Sequence, residues 1–248
     1  MGRITETVKV LIICNVLFFA GTLLSGEIVY RLFSLYYFEN PSFQVWQPLT
    51  HMFMHGGFMH ILFNMYALWA FGSPLEAQWG RNKFLFFYFS AGLGAALIHS
   101  LVSYYEVHSV MTDLLSGGWS QAEIQNFLIN GKGGSVSILD TVSRESIDSM
   151  AAAFNTPAVG ASGAIYGVLV AFGMMYPNVA LMLIFFPVPI KAKYFIPGLI
   201  LLDLFSGLTG FSVFGQNIAN WAHLGGALFG FIMAYYWKKN SFNSHRWN

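Results

Sequence analysis

The chain has 248 residues, of which 56% are hydrophobic and 9% are charged, and its net charge is +1. Because soluble domains carry roughly 25% charged residues, a soluble fold is excluded. A single cysteine, Cys14, excludes a disulfide-stapled secreted domain, and the near-neutral charge offers no basic patch for nucleic acid. The composition predicts an integral membrane protein.

Six membrane spans are predicted from the charge-poor apolar intervals, since a helix needs about 20 such residues to cross the hydrocarbon. They lie near 9–30, 56–72, 84–104, 158–176, 194–209 and 218–237, and we expect one all-α membrane domain over residues 1–248. The first span is interpreted as a retained helix, because no small-x-small cleavage site follows it.

The basic residues predict the orientation of this bundle. Six spans place both termini on one side, and if that side is cytoplasmic it holds nine of the 12 Lys and Arg residues. The other three are Arg31, Lys132 and Arg144. We therefore expect cytoplasmic termini. The short N-terminus without a transit peptide favours a bacterial inner membrane over an organelle.

Two long segments are predicted on the outer side. Residues 31–55 mix aromatic and polar groups, including Trp46 and His51, and should lie in the membrane interface. Residues 105–156 form an insertion that is rich in charge. Its glycine cluster at 131–134 predicts a turn with helical pieces on both sides.

Polar side chains inside a membrane span are costly and mark candidate functional sites. His60 and Asn64 in span two are four residues apart and share one helix face. Both can donate hydrogen bonds. Alone, the pair is more typical of a polar contact between helices.

The second motif opens span four with the sequence Gly160-Ala161-Ser162-Gly163. Ser162 lies in the first helical turn, where the partial positive charge of the helix N-terminus would stabilise an oxyanion. Tyr166 shares its face. Alone, G-x-S-G is a weak signal that also fits a seam of small residues.

The third motif lies in span six. His223, Gly226 and Gly230 follow one stripe of the helix, and the two glycines form a G-x-x-x-G that allows close helix packing. A packing motif with an incidental histidine is the alternative interpretation.

Together the motifs predict nucleophilic catalysis. Ser162 would be the nucleophile and His223 its base, and donors from His60, Asn64 and the Ser162 backbone would stabilise an oxyanion. Because no motif contains a carboxylate, we expect a dyad in which Tyr166 packs on the His223 ring. Asp203 in span five is interpreted as a structural cap or an interhelical bond and not as a second acid.

At these residues the chain closely resembles the rhomboid intramembrane serine proteases, from about Trp46 to the end of span six. The resemblance implies a Ser162–His223 dyad and an oxyanion hole from His60, Asn64 and the region of Ala161 and Ser162. It also implies a six-helix bundle that cleaves transmembrane protein substrates near the outer face, with no cofactor or metal. One departure is Gln47, where the family often has arginine after the loop tryptophan.

Two other functions remain open at this point. A catalytically inactive rhomboid-like protein that binds membrane clients is the first, although such relatives typically lack the serine or the histidine. A small-solute channel or transporter is the second, although the sequence contains no inverted repeat.

Overall fold

The structure, a computed structural model, describes residues 3–131, 142–183, 186–211 and 220–241, and helices dominate them, as predicted. The helices are α1 (Glu6–Ser25), α2 (Glu27–Phe33), α3 (Gln47–Thr50), α4 (Phe58–Ala67), α5 (Ser73–Trp79), α6 (Arg81–Ser116), α7 (Gln121–Asn130), α8 (Arg144–Asn155), α9 (Ser162–Met175), α10 (Ala192–Thr209) and α11 (Asn220–Ser241). A 3₁₀ turn (His51–Phe53) follows α3, and a π-helical turn (Leu68–Gly72) joins α4 to α5. Strands β1 (Ala180–Leu183) and β2 (Phe186–Lys191) form an antiparallel hairpin between α9 and α10.

The helix bounds differ from the predicted spans at several ends. Within predicted span one, α1 ends at Ser25 because Gly26 adopts a φ of +56°. A second helix, α2, begins directly after this glycine, at Glu27. By length and composition, α1, α6 and α10 could cross a membrane among the described residues, and the apolar α9 has only 14 residues. The count of six spans therefore stays a prediction.

Helix α6 extends well beyond the predicted span at 84–104. Its 36 residues make it about 54 Å long at 1.5 Å per residue, more than the hydrocarbon thickness. The predicted end marked the end of the apolar run, but the chain has no glycine or proline between residue 104 and Gly117 that would end the helix.

The insertion at residues 105–156 is helical on both sides of Gly131, as predicted, and it has a small apolar core. Helix α7 begins with a capping box between Ser120 and Glu123, and the rest of the glycine cluster lies outside the described residues. The extended end of α6 packs with α7, α8 and the first loop through a separate buried cluster, which comprises Tyr37, Val107, Val110, Leu114, Ile124, Leu128, Val142, Met150 and Phe154.

Helix α9 lies at the centre of the bundle, packed between α6, α10 and α11. Its residues from 163 to 172 are buried without a break. On one side its glycines face those of α11: a Cβ added at Gly226 would lie 1.8 Å from the Gly163 carbonyl oxygen, and one at Gly230 would lie 2.4 Å from the Gly167 Cα. The predicted G-x-x-x-G of α11 therefore packs backbone to backbone against α9.

Gln47 anchors the first loop in the place where the family often has arginine. Its side chain is fully buried and accepts a hydrogen bond from the Tyr36 N–H at 3.2 Å. Its amide donates to the carbonyls of Arg31 at 3.2 Å and Ser42 at 3.0 Å. An uncharged amide thus bonds to three backbone groups of this loop and satisfies their hydrogen-bonding capacity.

Glu76 on α5 holds the start of α1. Its carboxylate accepts hydrogen bonds from the Thr5 hydroxyl and from the backbone N–H groups of Thr7 and Val8, the latter two at 2.9 Å. Burial by itself would raise the pKa of this carboxyl, but these hydrogen bonds outweigh burial and lower the pKa. Glu76 therefore stabilises the fold most above the pKa of a free glutamate, and that stabilisation is lost as the pH falls through its lowered pKa.

We expect Glu76→Gln to lower the free energy of unfolding by about 2 kcal/mol at pH 7, because charge-assisted hydrogen bonds to α1 are weakened. Thermal unfolding of the purified protein in detergent measures the change. Glu6→Gln is the matched control, since Glu6 is exposed in the first turn of α1. Equal unfolding temperatures for the two variants would contradict the anchoring role.

Candidate active site

Ser162 is the first residue of α9 and follows a sharp backbone turn. Gly160 adopts a φ of +122°, which favours glycine, and its N–H donates to the His51 carbonyl at 2.9 Å. Ala161 is fully buried and caps the helix. The turn fixes the serine at the N-terminus of a buried helix, as the sequence predicted.

His223 on α11 meets this serine. Its Nε2 lies 2.9 Å from the Ser162 Oγ, within hydrogen-bonding distance. The contact depends on the glycine seam between Gly163 and Gly226, because a bulkier seam would hold α11 too far away. The Tyr166 ring stacks on the His223 ring at 4.2 Å between centroids and 10° between planes, the arrangement expected from the sequence.

A carboxylate also reaches this histidine. The Asp203 Oδ2 on α10 lies 3.3 Å from the His223 Nδ1. The sequence motifs predicted a dyad with no carboxylate beside it. The signal was an acidic residue inside an apolar span, which calls for a named partner, but no pattern within α10 indicates which helix supplies that partner.

His60 lies beside the turn that carries the serine. A Cβ added at Gly160 would lie 2.8 Å from the His60 Nε2 and 3.5 Å from the Ser162 Oγ, so the three groups are neighbours. The His60 Nδ1 accepts the Gly56 N–H at 3.4 Å, which assigns the ring proton to Nε2. In this tautomer His60 has an N–H donor beside the serine.

Asn64 is buried one turn further along α4. Its amide donates one hydrogen to the His60 carbonyl at 2.9 Å, which leaves the second amide hydrogen for another acceptor. Its part in an oxyanion hole stays a prediction. Among the described residues, no group of three or more His, Cys, Asp and Glu side chains could hold a metal ion.

His51 and His55 precede α4 and are deeply buried. Their exposed fractions are 6% and 1%. The His55 ring contacts the His60 ring edge-on, with 5.0 Å between the ring centroids. Burial lowers the pKa of each histidine to about 4. Both are therefore neutral in the folded protein at pH 7.

We expect the protein to lose stability as the pH falls from 6.5 towards 4. The unfolded chain binds protons at His51 and His55 near pH 6.5, whereas the folded chain takes them up only near pH 4. Each histidine can cost roughly 3 kcal/mol at most. Unfolding temperatures measured in detergent across this range test the expectation.

His51→Gln is the informative variant for this pH dependence, because it removes one titrating group and keeps a side-chain donor near the Gln47 carbonyl. Its unfolding temperature should fall less steeply with pH than that of the original chain. Identical slopes would show that His51 does not contribute.

Comparison with known proteins identifies the family of this chain. The rhomboid domain profile matches residues 42–124 and 126–240. The human protein "Presenilin-associated rhomboid-like protein, mitochondrial" is 30% identical over 228 residues, which cover 91% of this chain and 46% of that protein. "Rhomboid protease AarA" of Providencia stuartii is 26% identical over 200 residues, 76% of this chain and 54% of its own length.

"Rhomboid protease GlpG" of Salmonella typhi is 33% identical over a shorter stretch of 76 residues, 31% of this chain and 28% of its own length. The chain thus spans about half the length of the curated relatives that match most of it. The profile match covers the second half of the first loop and the helices that carry Ser162 and His223. This chain therefore belongs to the rhomboid family of integral membrane proteins.

Proposed function

We propose that this protein is an intramembrane serine protease in which Ser162 is the nucleophile and His223 the general base. The observation that carries the proposal is the 2.9 Å distance between the Ser162 Oγ and the His223 Nε2. Membership of the rhomboid family supports it, since two of the relatives are named as rhomboid proteases.

The geometry supports a two-step hydrolysis. The Ser162 Oγ attacks the substrate carbonyl carbon while its proton moves to the His223 Nε2. The imidazolium then gives that proton to the amide nitrogen as the C–N bond breaks, which leaves an acyl-enzyme. Water, deprotonated by the same Nε2, cleaves the ester and returns the proton to Ser162.

Negative charge that develops on the substrate oxygen needs fixed donors. The His60 Nε2–H beside Gly160 is the first candidate, and the remaining Asn64 amide hydrogen is the second. The Ser162 N–H, which follows Ala161 at the open end of α9, is the third, because the first N–H groups of a helix have no partner within it.

The substrates that we propose are transmembrane segments of other proteins, cleaved near the outer face. Nine of the 12 basic residues support cytoplasmic termini and a site that opens outward. We propose a bacterial inner membrane as the location, in line with the Salmonella and Providencia relatives. The mitochondrial names of other relatives make a mitochondrial membrane the competing location.

A serine-reactive fluorophosphonate separates this function from a catalytically inactive rhomboid-like protein that binds membrane clients. We expect covalent labelling of Ser162, found by mass spectrometry, and a rate at least about 100-fold lower in His223→Ala. Ser73→Ala, which changes a buried serine on α5, should label like the original chain. Labelling no faster than that of Ser162→Ala would overturn the proposal in favour of the binding protein.

A further inference from the structure

Asp203 is a buried carboxylate that the proposed dyad does not use. It is the only acidic residue of α10, and its side chain is 6% exposed. A charged carboxylate in a predicted membrane span is costly unless a partner compensates for it. The structure therefore has to contain such a partner.

That partner is the His223 ring nitrogen on the side away from the serine. The His223 Nδ1 and the Asp203 Oδ2 lie 3.3 Å apart, and neither atom has a well-aligned hydrogen bond among the described residues. Two buried polar atoms without other partners thus face each other at ion-pair distance. Each is costly if left unpaired, so a small rotation that aligns them is favoured.

The tautomer required for catalysis determines which atom of this contact donates the hydrogen and which accepts it. If Nε2 accepts the Ser162 proton, the proton of the neutral ring must lie on Nδ1. Nδ1 is then a donor, and the Asp203 carboxylate is the acceptor in front of it. The opposite tautomer would place a lone pair against a carboxylate and an N–H against the serine.

Tyr166 supports both members of this contact. Its ring stacks on the face of the imidazole, and its side chain lies close enough to the Asp203 carboxylate to interact with it electrostatically. The imidazole is therefore held by its face through Tyr166 and by its edge through Asp203. Among the described residues, the titratable and polar groups that interact with His223 are Ser162, Tyr166, Asp203 and His60.

We propose that Asp203 is a positioning residue for His223, an inference that rests on the proposed function. Its carboxylate accepts the Nδ1–H, selects the tautomer in which Nε2 faces Ser162, and stabilises the imidazolium that forms when the ring takes up the serine proton. The proton stays on Nδ1 throughout, and Asp203 remains ionised. The active pair is thus completed by a third helix, α10.

Asp203→Asn tests the role through kinetics. We expect kcat for a transmembrane reporter to fall about 100-fold or more, because asparagine can stabilise the wrong tautomer, while KM stays within about twofold. The midpoint of the rising limb of the pH–rate profile should move to lower pH, since the charged ring loses its carboxylate. Ser206→Ala is the matched control, because Ser206 is equally buried one turn away on α10.

Asp203→Glu provides a rescue test, since it retains a carboxylate and should recover part of the lost kcat. A purely structural role would lower the unfolding temperature of Asp203→Asn but leave the kcat of the folded protein and the pH midpoint as in Ser206→Ala. That result, with cleavage still dependent on Ser162, would overturn the role of Asp203 and leave the proposed function intact. Absence of Ser162-dependent cleavage in the original chain would overturn both.

Nitrogen NMR of histidine-labelled protein tests the tautomer without any turnover. We expect the His223 signal, assigned by its loss in His223→Ala, to report a protonated Nδ1 in the original chain. In Asp203→Asn the protonated nitrogen should change to Nε2. A protonated Nδ1 in both proteins would contradict the assignment.

Discussion

Ser162→Ala is expected to reduce cleavage of a transmembrane reporter by at least about 10⁴-fold, because removal of the nucleophile from a cooperative catalytic unit leaves only binding and oxyanion stabilisation. The unfolding temperature should change little, since the substitution removes one half-buried hydroxyl from the first turn of α9. Reconstituted protein and reporter in liposomes, with products quantified over time, measure the effect.

Ser73→Ala is the control for this experiment as well. Ser73 is a buried serine on α5 and lies outside the site, so its loss should leave cleavage within about twofold. Cleavage that survives in Ser162→Ala would exclude Ser162 as the nucleophile, whatever the result for the control.

Gly226→Ala is expected to destabilise the fold by about 3 kcal/mol and to abolish cleavage as well. A Cβ at this position would lie 1.8 Å from the Gly163 carbonyl oxygen, and the obstacle is backbone, which cannot rotate away. Helices α9 and α11 must therefore separate. This separation breaks the Ser162–His223 contact, because His223 lies one turn from Gly226 on α11 and Ser162 precedes Gly163 on α9. Thermal unfolding and fluorophosphonate labelling measure the two effects.

Gly198→Ala on α10 is the matched control for the seam. No heavy atom lies within 4 Å of a Cβ built at Gly198, so the substitution should leave stability unchanged or raise it by up to about 1 kcal/mol through helix propensity. If Gly226→Ala unfolds and labels like Gly198→Ala, the close approach of α9 and α11 is wrong.

Features that depend on one helix at a time could be predicted from the sequence. The apolar runs and scarce charges indicated a helical membrane protein, and spacing alone placed His60 with Asn64 and His223 with Gly226 and Gly230 on common faces. The pairing of Ser162 with His223 was predicted from chemistry, since a serine nucleophile needs a base.

The partners of these faces could not be predicted in the same way. The G-x-x-x-G of α11 predicted a close helix contact, but only the folded chain identifies Gly163 and Gly167 as the residues across from it. Likewise, the apolar run that ends near residue 104 did not indicate that α6 continues to Ser116. There it packs against the helices of the insertion through the second buried cluster.

The sequence by itself determined the membrane class and the local placement of the candidate residues, because helical periodicity and hydropathy act over neighbouring residues. Only the tertiary structure decided that Asp203 faces His223 and that Gln47 anchors the first loop. The physical reason is that lipid tails are as apolar as the interior of a helix bundle. The sequence of an apolar helix therefore indicates poorly which of its sides faces protein and which faces lipid. Contacts between distant spans are identified only in the folded chain, where small residues and buried polar groups pack together.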